Sequence, residues 1–122
     1  MKNTNGVIEM IKAFLEKVPG IQHAFIYGSY AKNPDDQESD IDLMVVGGPD
    51  LVEMEETISR AGMELKRAIY ITSLTVREFR ERIEVKDESV WEALKGPRIM
   101  LISREKEMAW ISNATPWQTS TA

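Results

Sequence analysis

The chain has 122 residues, 43% hydrophobic and 29% charged, which suits one soluble domain with an adequate core and leaves little length for a second. A net charge of −5 argues against an extensive nucleic-acid surface. The absence of cysteine excludes a disulfide framework, a thiolate metal site and a cysteine nucleophile, and it fits a cytoplasmic location.

The opening MKNTNGVIEMIKAFLEKV scatters Lys, Asn and Glu among its apolar residues, so it does not read as a secretory leader. No apolar run approaches the length of a membrane span. Val7, Ile8, Ile11, Phe14, Leu15 and Val18 recur at helical spacing, and Pro19-Gly20 ends that helix. Strands are expected over Ile21–Tyr27 and Ile41–Val46. Asp50 then caps a helix running to about Ala61. A third strand spans Arg67–Thr72. Thr75-Val76-Arg77-Glu78 has the capping-box pattern and opens a helix from Val76 to about Val85. Asp87 caps a short helix to Leu94, stopped by Gly96-Pro97. Arg98–Ile102 reads as a fourth strand and Arg104–Ile111 as a last helix. Strands interleaved with helices predict an α/β or α+β fold with helices packed on a sheet. The domain is expected to occupy residues 1–112, with 113–122 a flexible tail.

The chemistry concentrates in FIYGSYAKNPDDQESDIDLMVV, residues 25–46. Side chains alternate along a strand, so Asp40 and Asp42 share one face while Ile41 and Leu43 point to the core. Two ionised carboxylates this close repel, and each gains from a cation between them. Oxygen ligands at this spacing suit a hard divalent ion completed by phosphate oxygens and water. Gly28-Ser29 ends the preceding strand, where backbone amides and the Ser29 hydroxyl are placed to donate to phosphate oxygens. Lys32 either neutralises a further phosphate charge or is a solvated loop lysine. A phosphate clamp facing a carboxylate pair is what nucleotidyl or phosphoryl transfer requires.

Gly28-Ser29, ten intervening residues and Asp40-Ile41-Asp42 resemble the G-S-x10-D-x-D signature of minimal nucleotidyltransferase domains in the DNA polymerase β-like superfamily. The resemblance extends over about Val7–Ile102. It implies a mixed sheet of four or five strands with helices on one side. It also implies that Gly28 and Ser29 hold a triphosphate and that Asp40 and Asp42 ligate Mg²⁺ or Mn²⁺ and serve catalysis. The implied activity is transfer of a nucleoside monophosphate, AMP from ATP or the equivalent from another NTP, to a hydroxyl of a protein or small-molecule acceptor. Domains of this kind also imply a small helical protein partner, or self-association, to complete the acceptor site. The family usually adds a third carboxylate on a later strand; the matching stretch here is Ile69-Tyr70-Ile71, with tyrosine at the centre. That departure keeps a second reading open, a nucleotide- or partner-binding module with weak or no turnover.

Simpler roles fit the remaining polar residues. D-x-D alone would fit an edge strand carrying charge outward. Asp35, Asp36 and Glu38 suit a solvated loop, and His23, the sole histidine, suits a surface or half-buried position. Tyr70 suits a core or cleft position. Arg77–Glu84 reads as a solvated helix face with i,i+4 charge pairs. Trp91 reads as core, and Trp110 and Trp117 as candidates for a partner surface.

Overall fold

The computed structural model describes residues 2–36 and 38–103, with the side chains of residues 2–5 outside that description. Four strands, β1 (Ile21–Tyr27), β2 (Ile41–Gly47), β3 (Ile69–Leu74) and β4 (Ile99–Ser103), form one sheet in the order β3-β2-β1-β4. β1 runs antiparallel to both β2 and β4, whereas β2 and β3 are parallel, so the sheet is mixed. Five helices accompany it among the described residues: α1 (Lys2–Glu16), α2 (Gly28–Lys32), α3 (Leu51–Leu65), α4 (Val76–Glu84) and α5 (Glu88–Lys95). A tight turn cannot join two parallel strands, and α3 supplies the crossover from β2 to β3.

The helices cover both faces of the sheet, not the single face expected. Ile41, Leu43 and Val45 of β2 pack with Ile11 and Leu15 of α1 and with Met54 and Ile58 of α3. Phe25, Met44 and Val46 pack on the other face with Leu74, with Phe79 and Ile83 of α4, and with Val90, Ala93 and Leu94 of α5. The reason lies in β2 itself. Beyond Asp42 its residues are Leu43-Met44-Val45-Val46, an unbroken apolar run of the kind that a strand buried on both faces requires.

Local capping chemistry sets the helix starts where the sequence placed them. The Asp50 carboxylate accepts from the Glu53 amide at 3.0 Å, and that of Asp87 from the Val90 amide at 3.1 Å. At α4 the box is complete: the Thr75 hydroxyl accepts from the Glu78 amide at 3.0 Å, and the Glu78 carboxylate accepts from the Thr75 amide at 2.9 Å. Thr75→Ala is therefore expected to cost about 1 kcal/mol of unfolding free energy, readable as a lowered urea midpoint at unchanged slope.

Boundaries moved around β3, which also runs on to Leu74. α3 continues to Leu65 and closes on Lys66 in the left-handed region (φ 57°), so β3 begins at Ile69 and not at Arg67. Arg67 is taken up by the loop before β2, where its Nη2 donates to the carbonyls of Ser39 (2.7 Å) and Asp36 (3.1 Å). Along α4 one i,i+4 pair of the predicted charged face forms, Arg80 with Glu84 at 3.8 Å. Both side chains are exposed, so it contributes little. Trp91 is half-buried and not fully core; its indole Nε1 donates to the Ile83 carbonyl at 3.1 Å, tying α5 to α4. The helix expected over Arg104–Ile111, the tail from Asn113, and Trp110 and Trp117 lie outside the described residues.

Candidate active site

β1 ends at Tyr27 and the chain turns directly into α2 at Gly28. Gly28 adopts φ +76°, a left-handed conformation that side chains strain. A Cβ placed on it would stand 2.6 Å from Asp42 Oδ2. Glycine is thus required twice over, by the backbone and by the carboxylate it abuts. This contact brings the Gly28-Ser29 turn and the aspartate strand into one site. The sheet register does the same, since Tyr27 pairs with Asp42 across β1 and β2.

Asp42 is half-buried at the start of β2, while Asp40 lies just before the strand and is exposed. Burial pushes the Asp42 carboxyl above its ordinary value, and the charge of Asp40 pushes it the same way. The pair is therefore short of positive charge. No three His, Cys, Asp or Glu side chains are grouped as a metal site among the described residues. Two carboxylates nevertheless fit a Mg²⁺-type ion, which commonly takes one or two protein carboxylates and fills its remaining positions with phosphate and water.

The loop from α2 to β2 is held from three sides. Asp36 accepts from the Glu38 amide and from the Ser39 hydroxyl, both at 2.9 Å, and the Arg67 guanidinium holds two loop carbonyls while lying 5.1 Å from the Tyr30 ring centroid. Asp36, read from sequence as a solubilising residue, is structural: these hydrogen bonds hold its carboxyl below its ordinary value.

Beside Gly28 opens a cavity of about 470 Å³, lined by Tyr27, Gly28, Ser29 and Lys32 on one wall and by Ser89, Glu92 and Lys95 of α5 on the other. That size falls within the range of small-molecule sites. Gly28 faces the cavity on one side and Asp42 on the other. Lys32 is exposed and on this wall. Lys95, paired with Glu92 at 3.6 Å, was not singled out in the sequence. Nothing local marks it; only the packing of α5 on the sheet brings it there. A larger hollow of about 560 Å³ between α3 and β3 takes in Tyr70 but neither Gly28-Ser29 nor the aspartates.

Tyr70 pairs in register with Asp42 on β3 and is 57% exposed, so it stands in the open beside the aspartate and not in the core. Glu64, the nearest acid upstream, is exposed on α3 and does not take that place. His23, expected at a surface or half-buried position, is buried against the Phe25 ring at 5.6 Å between centroids. Burial and the charge of Arg98 lower its pKa to about 4.

A sheet of this topology with a Gly-Ser turn against an Asp-x-Asp strand defines a nucleotidyltransferase fold, and the family comparison agrees. The model of the polymerase beta nucleotidyltransferase family matches residues 9–94, and the chain belongs to that family. No curated protein matches it. Among solved structures it is similar to a toxin–antitoxin structure with AMP-PNP (15% identity over 84% of this chain and 78% of that one, TM-score 0.59). It is also similar to a mutant of the toxin–antitoxin pair MntA–HpeT (16%, 88% and 78%, 0.53) and to a protein from Shewanella oneidensis (9%, 88% and 78%, 0.54). At these identities the likeness is one of fold.

Proposed function

We propose that this chain is a metal-dependent nucleotidyltransferase that moves AMP from ATP onto a hydroxyl of a protein or small-molecule acceptor. The observation that carries the reading is the contact of Gly28 with Asp42, which joins the cavity walled by Ser29 and Lys32 to a carboxylate pair. Backbone amides at the turn and the Ser29 hydroxyl bind phosphate oxygens, and Lys32 offsets their charge. Asp40 and Asp42 would hold the divalent ion, which when bound neutralises charge developing on the triphosphate. The acceptor oxygen attacks the α-phosphorus and pyrophosphate leaves. ATP as donor is supported by the similar structure with AMP-PNP. The toxin–antitoxin composition of such structures supports a protein partner, a small helical protein or a second copy. A cytoplasmic setting fits a cysteine-free chain.

The test incubates the protein with α-labelled ATP, Mg²⁺ or Mn²⁺ and a cell extract. Label is expected on an acceptor with the wild type. The Asp40→Asn, Asp42→Asn double variant should lose at least about a thousandfold in rate, because a bound ion supplies several kcal/mol of charge stabilisation. Equal rates would defeat the reading.

One observation favours the rival, a nucleotide- or partner-binding module. Tyr70 stands in register with Asp42 where the family usually carries its third carboxylate. A phenol brings a single hydroxyl oxygen where a carboxylate brings two acceptor oxygens, so it replaces that ligand poorly. Nucleotide binding without transfer, with transfer restored by Tyr70→Asp or Tyr70→Glu, would establish that alternative.

A further inference from the structure

We propose that Tyr70 is itself an acceptor, so that the protein transfers a nucleoside monophosphate from a bound triphosphate onto its own phenolic oxygen. This rests on the nucleotidyltransferase reading of the site and adds a modification site to it.

The face on which Tyr70 sits follows from its neighbours. Ile69 and Ile71 pack against the core cluster under α1 and α3, and Leu74 belongs to the opposite cluster. Alternation along β3 therefore puts Tyr70, Thr72 and Leu74 on the face that carries Asp42, Met44 and Val46 of β2. In-register parallel neighbours lie roughly 4.8 Å apart, close enough for a phenol to reach past the carboxylate beside it. Among the described residues β3 is also an edge strand, and no further strand covers Tyr70 on its outer side.

Of the other hydroxyls near the site, Ser89 stands across the cavity on α5, and the rest are set back or engaged elsewhere. Tyr30 is fully buried. Tyr27 and Thr72 share a hydrogen bond at 3.5 Å, and Thr72 pairs with Met44, two residues farther along β2 than Asp42. Ser29 belongs to the cavity wall assigned to phosphate. Tyr27 is also in register with Asp42 and lines the cavity, but it is half-buried, so of the two tyrosines that flank the aspartate Tyr70 is the exposed one.

The step balances without a co-reactant beyond the donor nucleotide. The phenolic oxygen forms a bond to the α-phosphorus, and the bond from that phosphorus to the oxygen bridging the α- and β-phosphates breaks. Pyrophosphate departs with the electron pair, and the phenol proton passes to the solvent that Tyr70 already meets. The product is a phosphodiester-linked nucleotide on Tyr70, seated beside Asp42, so each chain reacts once and its site is then occupied.

The purified chain is incubated with ATP and Mg²⁺ without extract, and its intact mass is measured. A gain of one AMP per chain is expected, located by fragmentation to the tryptic peptide Ala68–Arg77. Tyr70→Phe should melt with the wild type, since the hydroxyl is exposed, and lose at least tenfold of the adduct. The double aspartate variant should lose it equally. An adduct on any other residue, or one retained by Tyr70→Phe, overturns the proposal. An unmodified chain that still labels an acceptor in extract overturns it while leaving the transferase reading standing. Label on neither chain nor acceptor overturns both.

Discussion

Gly28→Ala is expected to remove nucleotidyl transfer almost completely from a chain that still folds. Two independent effects converge on this position. An alanine at φ +76° pays about 1–2 kcal/mol for the left-handed backbone. Its methyl group would also meet Asp42 Oδ2 at 2.6 Å, well inside contact distance, and the flexible partner in that encounter is the carboxylate. Relief by rotation of Asp42 leaves the sheet intact, because Asp42 is only half-buried. It also moves a group proposed to hold the ion, and a displacement near 1 Å at a reacting centre can cost on the order of a hundredfold. Transfer of label is thus expected to fall at least about a hundredfold while the thermal midpoint drops by only several degrees. Ser29→Ala is the control: it removes a proposed phosphate donor without touching Asp42 and should cost less. A Gly28→Ala variant within tenfold of wild type would show that the close approach is not what positions Asp42.

Much of this was legible because the signals are short-range. Asp50, Thr75 and Asp87 cap the helices they precede, since capping uses a side chain and an amide three residues away. The Gly-Ser turn and the aspartate pair were legible for the same reason, as each is a contiguous motif on an apolar strand. What escaped depends on which elements meet in space. Met44 and Val46 demanded a second helical layer, but nothing local says that α4 and α5 provide it. Lys95 and Ser89 join the cavity only through that packing. Arg67 read as the start of a strand, whereas its guanidinium reaches back some thirty residues to Asp36 and Ser39.

His23, buried beside Phe25, sets the remaining large effect, on stability against pH. Its pKa is about 4 in the folded chain against 6.5 for a free side chain, with desolvation the larger cause and the Arg98 charge the lesser. Between those values the unfolded chain binds the proton and the folded chain does not, so stability rises with pH. The contribution is complete above pH 6.5 and is lost as pH falls through the window: about 2 kcal/mol by pH 5 and roughly 3 by pH 4. Against a typical total of about 5–15 kcal/mol that is a large fraction. His23→Leu removes the titrating group and replaces a ring whose buried Nδ1 has no hydrogen-bond partner among the described residues. Urea unfolding at pH 7 and pH 5 should therefore show a wild-type loss about 2 kcal/mol greater than that of the variant. Comparing the two chains cancels carboxylate titration common to both. Parallel losses would mean that His23 accepts its proton in the folded state at little cost, and that the packing around Phe25 opens to water more readily than the structure shows.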